Sequence, residues 1–336
     1  MSKRGKSKGV MSKRKRLETA ISGGKVDRLP IAFWRHWPGD DQRADDLAAA
    51  HVDFQSLYDL DFIKVSPSSS FCVQDWGVES VWEGRNPEGT RRYTRWAVNS
   101  PDDWTDLQPL DPRQGALGRQ VQCLYHLGAA FGEEVPFIQT VFSPLAQAKY
   151  LCGEDSLPVH MRQHASQLHK GLKTITETTL RFIDEAGSSG MAGIYYAVQF
   201  ANYDRLSEAE YQIFGLPYDK QIMAALEGLW LNVLHLHGPY PMFNLVKDLR
   251  VPVVNWHDRE SDPDLASGLQ RLKGAASGGV NRDVLLGEDP EPALAQARDA
   301  VEQTGGRRLV LGTGCVTLVT TPVGNLRKLR ALVDEL

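Results

Sequence analysis

The chain has 336 residues, of which 42% are hydrophobic and 24% are charged, as in an ordinary globular protein. Its formal net charge of −4 argues against nucleic-acid binding by the body of the chain, and no apolar run approaches the roughly 18 residues that suggest a membrane span. The four cysteines show no paired spacing, which argues against a disulfide framework and favours a reduced, cytoplasmic setting.

The first eleven residues, MSKRGKSKGVM, are basic and no apolar segment follows them, so they are not typical of a secretory signal. Short basic segments of this kind are usually solvated, and residues 1–11 are therefore predicted to be a disordered tail. Binding of this tail to an acidic surface stays open, as does a translation start at Met11 instead of Met1. Residues 12–336 are predicted to form one domain.

Short apolar or β-branched segments recur along this domain and predict β-strands. Each has the length of a strand, and several end in glycine or in polar turn residues. The eight segments are residues 30–37, 61–67, 136–142, 193–200, 232–238, 251–258, 275–281 and 307–315.

Helical patterns lie between these segments. A helix is predicted over residues 12–22, ended by Gly23 and Gly24, and further helices over residues 159–185, 219–234, 291–303 and 323–336. Alternation of strands with helices favours parallel strands, and eight strands is the count of a (β/α)8 TIM barrel, an α/β fold. Residues 77–104 are predicted to form a β-hairpin inserted after the second strand, over the mouth of the barrel.

A histidine pair and a cysteine form the candidate metal site. His235 and His237 are two residues apart in a predicted strand, so their side chains project from the same face. Cys315 follows the last predicted strand, and barrel active sites lie at the carboxyl ends of the strands. Together the three residues predict a zinc site with two nitrogens and one sulfur. The alternative is that the histidines are hydrogen-bonding pocket residues and Cys315 is a small buried hydrophobe.

Other polar and aromatic residues at predicted strand ends are candidates for substrate contact or catalysis. Arg35 is the expected bidentate partner of an anionic substrate, because a guanidinium matches a carboxylate. His257 and Asp258 are substrate ligands, or orient a metal-binding histidine, or cap the next helix. The substrate-binding candidates are His36, Trp37, Tyr196, Gln199 and Asp258, of which Tyr196 and Gln199 have a packing role as the alternative.

From Arg16 onward the sequence resembles the uroporphyrinogen decarboxylase superfamily. The resemblance rests on RLETAISGGKVDRLPI, SPLAQAKYLCG, FGLPYDKQIM and LVLGTGCVTLVTTPVGNLRKL, of which the first and last together are fairly specific. It implies a (β/α)8 barrel, in agreement with the strand count. It also implies one of two chemistries, cofactor-free decarboxylation of tetrapyrrole acetate groups or zinc-dependent methyl transfer to or from corrinoid proteins and thiols.

The decarboxylase motifs are matched only in part. Arg35 matches the first-strand arginine and Tyr150 matches a functional tyrosine, so the resemblance implies a catalytic role for both. RHWPGDD lacks the second arginine of the family's motif. An aspartate, a serine and a histidine of the decarboxylases fall at Pro67, Ala197 and Thr313. The aspartate would stabilise the cationic intermediate, so its loss argues against uroporphyrinogen decarboxylation itself.

The methyltransferase motifs are matched more closely. These enzymes use a His-x-Cys pair after the fifth strand and a cysteine in a final GxGC turn, and His235-x-His237 and Gly314-Cys315 stand at those positions. One thiolate has become an imidazole, which leaves bound zinc with a net charge near +1. Such an ion is a better Lewis acid and a poorer activator of thiols. This favours demethylation of a small O- or N-methyl compound.

The sequence therefore predicts a zinc-assisted methyltransferase whose acceptor is a thiol or a corrinoid on a partner protein, with His257 as a third catalytic candidate. Two other functions stay open. One is metal-free decarboxylation of a tetrapyrrole or a smaller acid, led by Arg35 and Tyr150. The other is a non-catalytic barrel that binds a corrinoid protein or a small ligand. A homodimer also stays open, and no nucleic acid or membrane partner is expected.

Overall fold

A computed structural model describes residues 9–336, so most of the predicted basic tail lies outside the described residues. Helix α1 (Lys13–Ile21) matches the predicted first helix. The Ser12 side chain accepts a hydrogen bond from the backbone N–H of Lys15 (3.3 Å) and begins the helix. Gly23 follows the helix with φ of 77°, a left-handed conformation that terminates helices.

The described residues contain nine β-strands. Seven of them form one parallel sheet in which each strand pairs with its neighbours in chain order, and the other two pair separately. The strands are β1 (Ile63–Val65), β2 (Glu79–Val81), β3 (Arg92–Arg95), β4 (Phe137–Phe142), β5 (Gly193–Val198), β6 (Val233–Leu236), β7 (Val253–Trp256), β8 (Ala275–Val280) and β9 (Leu309–Thr313). The parallel sheet consists of β1 and β4 to β9, and every residue of these strands is buried, as in a sheet covered on both faces.

The first predicted strand, residues 30–37, is not a regular strand. Only Ile31 forms a parallel bridge, to Leu311 of β9, with hydrogen bonds from Ala32 N to Leu311 O (3.0 Å) and from Leu311 N to Pro30 O (2.9 Å). On its other side, Asp61 N donates to Ile31 O (2.9 Å) beside β1. Pro30 has no N–H to donate, which shortens the pairing. Seven of the eight predicted strands are thus confirmed.

The helices lie between the strands, with two further differences from the predictions. The predicted helix over residues 219–234 is wrong in its second half: the helix ends at Ala224, Gly228 adopts φ of 94°, and β6 begins at Val233. The predicted helix over residues 159–185 is two helices that meet at His164. The α-helices that follow α1 are α2 (Ala44–Tyr58), α3 (Asp103–Asp106), α4 (Gly115–Phe131), α5 (Pro144–Cys152), α6 (Ser156–Gln163), α7 (Ala165–Gly187), α8 (Glu208–Phe214), α9 (Leu216–Ala224), α10 (Leu265–Arg271), α11 (Glu291–Thr304) and α12 (Val323–Leu332).

Strands β2 and β3 pair antiparallel within the segment predicted to form a hairpin, with Ser80 opposite Tyr93. Two contacts tie their connection to the loops after β8 and β9. Arg282 donates to Glu88 Oε1 (2.6 Å), and Val319 N donates to Pro87 O (2.8 Å). These contacts join the β2–β3 connection to loops that follow two strands of the parallel sheet. Across residues 9–336, none of the helices combines the length and the hydropathy that crossing a bilayer demands.

Candidate metal centre

Four side chains converge at the carboxyl ends of the strands: His235 in β6, His237 just after it, His257 after β7 and Cys315 after β9. Their candidate ligand atoms all lie within 4.8 Å of one another. Cys315 Sγ lies 3.9 Å from both His235 Nε2 and His237 Nδ1, and these two nitrogens are 3.4 Å apart. A tetrahedral zinc ion with bonds of about 2.0–2.3 Å holds its ligand atoms roughly 3.3–3.8 Å apart. The two nitrogens lie within this range and the sulfur distances just above it, so the spacing of the predicted ligands is close to that around one zinc ion.

The backbone around Cys315 depends on a glycine. A Cβ added at Gly314 would lie 2.7 Å from Trp256 O and 2.9 Å from the Cα of His257, so no larger residue fits without movement. This close approach brings the turn after β9 against the end of β7. Cys315 and His257 are consequently held beside each other although 57 residues separate them in sequence.

Asn255 fixes the orientation of His235. Its amide nitrogen donates to Ser277 O (2.7 Å) and Thr313 O (3.1 Å), so Oδ1 is the atom that faces His235 Nδ1 at 2.7 Å. Tyr195 also donates to Oδ1, at 2.9 Å. The proton of His235 must therefore lie on Nδ1, which leaves the lone pair of Nε2 directed at the other donors. Metal-binding histidines are typically oriented in this way.

The charges of the cluster suit metal binding. Burial alone would raise the pKa of the Cys315 thiol, but the imidazoles of His235, His237 and His257 outweigh it and hold that pKa well below its ordinary value. Burial lowers the pKa of His235 to about 4, so this imidazole is neutral at physiological pH. The site thus presents a thiolate and a neutral imidazole, the forms that bind zinc.

His257 completes the cluster. Its Nδ1 lies 3.2 Å from Glu260 Oε2, whereas its Nε2 is buried and has no hydrogen-bond partner. Burial lowers the pKa of His257, yet the Cys315 thiolate and Glu260 raise it to about 10. A buried, unpartnered imidazole nitrogen next to three other donors is what a fourth metal ligand would leave in the metal-free protein.

A cavity of about 340 Å³ opens beside the cluster. Of the sequence-predicted site residues, His36, Tyr150, Gln199, His235, His237 and Cys315 line it. Tyr150 is buried, stacks on Tyr93 with ring centroids 5.3 Å apart, and donates to Gln199 Oε1 (2.7 Å). The cavity and the four donors therefore form one continuous site.

Arg35 and Trp37 lie outside this cavity. They line a second cavity beside α2 and α12, where the Arg35 guanidinium lies 4.8 Å from the Trp37 ring centroid and its Nε donates to His36 O (3.2 Å). Successive side chains of an extended segment point to opposite sides. Since His36 faces the cavity with the metal cluster, its two neighbours face away from it.

Tyr196 also faces away from the site, and its neighbour Tyr195 lines the cavity instead. Tyr196 donates to the buried Asp219 Oδ1 (2.5 Å), behind the sheet. Tyr195 stacks on His235 with ring centroids 5.3 Å apart. The prediction selected the wrong face of β5, because two adjacent tyrosines leave the register of a fully buried strand undetermined.

Asp258 does not line the cavity beside the metal cluster. Its carboxylate accepts a hydrogen bond from Gly279 N (3.1 Å) and lies 3.7 Å from Arg259 Nε, and burial raises its pKa to about 6. It connects the loop after β7 to β8. The cap of the following helix, α10, is Asp264, which accepts from Ser267 N at 2.8 Å.

Several cavity and support residues escaped the sequence predictions. Lys64 and Asn255 share a usable signal, since each is a polar residue inside an otherwise apolar strand segment. Tyr195 could have been chosen in place of Tyr196 only if the register of β5, and thus the face of each tyrosine, had been known. Arg91 and Lys149 gave no comparable signal, because they come from the hairpin and from a helix. The missed residues of the site include Lys64, Arg91, Lys149, Tyr195 and Asn255.

An α/β fold with a parallel, curled sheet and a His/Cys cluster at the carboxyl ends of its strands defines the class of this protein. Comparison with known proteins then gives the family. The model of the uroporphyrinogen decarboxylase (URO-D) family matches residues 12–336. The chain therefore belongs to the uroporphyrinogen decarboxylase family.

The relatives carry both chemistries of the family. A uroporphyrinogen decarboxylase of Prochlorococcus marinus (strain NATL2A) is 24% identical over 233 residues, which are 66% of this chain and 64% of that protein. The methylcobamide:CoM methyltransferase MtbA of Methanosarcina acetivorans is 22% identical over 237 residues, 69% of this chain and 68% of its own length. The chain thus spans just under two thirds of the decarboxylase it matches.

The structural likeness covers more of the chain. A methyltransferase from Methanosarcina mazei superposes with a TM-score of 0.85 at 19% identity, over 97% of this chain and 99% of its own. A B12-independent methionine synthase from Shewanella gives a TM-score of 0.56 at 14% identity, over 94% of each chain. These likenesses establish the fold.

Replacing Asn255 with leucine is expected to weaken zinc binding about 10–100-fold, because His235 would lose the partner that fixes its tautomer. Competition with a zinc chelator measures the change. Asn232→Leu is the matched control: Asn232 is also a buried asparagine, but it lies just before β6 begins and accepts from Ile194 N (3.1 Å) instead of contacting a donor of the cluster. Equal losses of affinity in both variants would contradict an orienting role for Asn255.

Proposed function

We propose that this chain is a zinc-dependent methyltransferase that demethylates a small O- or N-methyl compound. The observation that carries the proposal is the convergence of four nitrogen and sulfur donors within 4.8 Å of one another. The buried, unpartnered Nε2 of His257 supports it, since burial of such an atom costs free energy unless a ligand occupies it. Imidazoles with one thiolate are a donor set that suits zinc.

Each residue of the cluster has a separate part in this proposal. His235, His237 and Cys315 would hold the ion, with His257 as the further nitrogen beside it. Bound zinc would carry a net charge near +1 and supply Lewis acidity toward an oxygen or nitrogen of the substrate. Asn255 keeps His235 in its metal-binding tautomer.

The cavity would position the methyl donor. In the proposed reaction the bond between the methyl carbon and its heteroatom breaks, and the heteroatom keeps the electron pair and takes a proton. The methyl group passes to an acceptor that supplies the electron pair of the new bond, either a reduced corrinoid on a partner protein or a thiolate. Tyr150 stays protonated because burial raises its pKa, and its hydroxyl, with His36 and Gln199, borders the substrate.

Metal-free decarboxylation is the second candidate, and the cavity position of Tyr150 together with the named decarboxylase relatives favours it. Two features weigh against it. Pro67 stands where the decarboxylases have their aspartate. Among the residues that line the cavity, the sole carboxylate is Glu88, and it is already paired with Arg282 at 2.6 Å. A cationic tetrapyrrole intermediate would therefore find little negative charge here.

The proposal also covers the closure of the barrel, the number of domains and the position of the β2–β3 hairpin. Residues 30–37 would stand in the place of the eighth strand between β9 and β1 and close the sheet into a (β/α)8 barrel. Residues 12–336 would form a single domain, and the hairpin of β2 and β3 would cover its mouth. A cytoplasmic corrinoid protein is the proposed partner.

The zinc-loaded protein is expected to transfer methyl groups from small methoxylated or N-methylated compounds to cob(I)alamin, because the metal centre would polarise the heteroatom that leaves. The absorbance change on formation of methylcobalamin measures the transfer. A chelator should abolish the activity, and added zinc should restore it. Release of CO2 from a carboxylic acid by metal-free protein, with no dependence on zinc, would instead support the decarboxylase.

A further inference from the structure

The cavity beside the metal cluster is lined by basic side chains, of which Lys64 has no carboxylate partner. Lys64 lies in the middle of β1 and only 4% of its surface is exposed. Its ammonium group donates to Ser66 Oγ (3.1 Å) and lies 4.8 Å from the Tyr195 ring centroid. Neither partner carries a negative charge, and burial lowers the pKa of Lys64 to about 7. A bound anion would raise this pKa again and hold the group as an ammonium ion. A buried lysine without a carboxylate costs free energy, so its presence in a cavity calls for a functional explanation.

Two further cations line the same cavity. The Arg91 guanidinium pairs with Asp41 (3.5 Å), so its charge is partly compensated. Lys149 lies over the ring of Tyr150, 4.3 Å from its centroid. The one carboxylate of the lining, Glu88, is paired with Arg282. In the metal-free protein the Cys315 thiolate would offset one positive charge. In the zinc-bound protein the metal would neutralise the charge of this thiolate.

His36 contributes an uncharged polar atom to the wall of the same cavity. His36 is 8% exposed, lines the cavity, and its Nδ1 is buried without a hydrogen-bond partner. Burial, reinforced by Lys64, lowers the pKa of His36 to about 3, so His36 is neutral and adds no charge of its own. In the tautomer with its proton on Nδ1, the neutral His36 imidazole can donate to an anion that also contacts the Lys64 ammonium group.

Aromatic side chains form a further part of the cavity wall. Tyr93, Phe142, Tyr150 and Tyr195 line the cavity, and the Tyr195 ring separates Lys64 from His235. A cavity of about 340 Å³ lies at the small end of ligand pockets, which typically measure about 300–1,000 Å³. It therefore suits one ring or a chain of similar size.

We propose that the substrate is a small carboxylate with an apolar, unsaturated body, and that Lys64 binds its carboxylate group. Arg91 and Lys149 add attraction at the same cavity, and the aromatic walls contact the body. The anion would lie one tyrosine ring away from the metal donors, so Lys64 determines substrate specificity and orientation. This inference deepens the proposed function and rests on it for the metal.

Benzoate and benzamide form a suitable pair of probes, because they share a shape and differ in charge. Calorimetry on the zinc-loaded protein is expected to show benzoate binding at least about tenfold more tightly than benzamide, as for a hydrogen bond to a charged group. Lys64→Met should abolish this preference and keep one zinc per chain. Lys220→Met, which changes an exposed lysine of α9, should leave both affinities unchanged.

Several outcomes would overturn the proposal. They are equal affinities for the two probes in the unaltered protein, a preference for benzoate that survives Lys64→Met, or loss of zinc in Lys64→Met, which would make the lysine a support of the metal site. If Lys64→Met does not fold, Arg91→Met should still weaken benzoate severalfold and leave benzamide unchanged. Absence of zinc from the unaltered protein would contradict the proposed function separately, and the same calorimetry on that zinc-free protein would still test the preference for benzoate.

Discussion

Replacing Cys315 with alanine is expected to abolish stoichiometric zinc binding and, with it, methyl transfer. Cys315 is the one thiolate of the cluster, and its sulfur lies 3.9 Å from the donor nitrogens of both His235 and His237. Loss of a direct ligand should exceed the roughly 10–100-fold loss of affinity that removal of an outer partner causes. Elemental analysis of the purified variant gives the zinc content directly, and His235→Ala should give the same result.

Cys72→Ala is the matched control for this prediction. Cys72 is also buried and free, but it is not among the four donors, and burial raises the pKa of its thiol. This variant should keep about one zinc per chain. Zinc should also leave on strong acidification, because protons compete for the thiolate and the imidazoles. Full activity of Cys315→Ala in excess chelator would refute the methyltransferase proposal.

Replacing Asp61 with alanine is expected to lower the free energy of unfolding by about 3–5 kcal/mol, the usual effect of removing one partner from a buried ion pair. Asp61 is completely buried and accepts from Arg16 (2.7 Å), Arg28 (2.7 Å) and the backbone N–H of Ile31 (2.8 Å). Its removal would leave buried guanidinium groups without part of their counter-charge. Urea denaturation of both proteins measures the difference.

Glu177→Ala provides the comparison for Asp61. Glu177 pairs with Arg181 one helical turn away on α7, and both side chains are about half exposed. Such a pair contributes only about 0.3–0.5 kcal/mol, so this variant should unfold almost as the unaltered protein does. A similar small effect of Asp61→Ala would mean that the network of Arg16, Arg28 and Asp61 does not hold the segment before β1 in place.

Three of the four clustered donors could be predicted because they follow local rules. His235 and His237 are two residues apart in a strand and therefore share a face, and Gly314 allows the turn that presents Cys315. The strands were predictable for a similar reason, since buried parallel strands are short apolar segments between turns. Residues 30–37 carried the same pattern, yet Pro30 and a single bridge at Ile31 left them irregular.

The choice of residues around the ligands was less predictable. Arg35, Trp37 and Tyr196 carry suitable chemistry, but each faces away from the cavity beside the metal cluster. Sequence gives the chemical type of a side chain and its alternation along a strand. It does not give the absolute direction when both faces of the strand are buried, because the apolar pattern is then continuous.

The sequence by itself determined the family, the parallel α/β architecture and three of the four clustered donors, because these depend on strand periodicity and local motifs. Only the tertiary structure placed His257 as the fourth donor, Asn255 behind His235, and Lys64 in the cavity. Those relations join strands that are distant in sequence. They depend on how neighbouring strands are aligned and on how closely their carboxyl ends approach, which no local pattern of residues specifies.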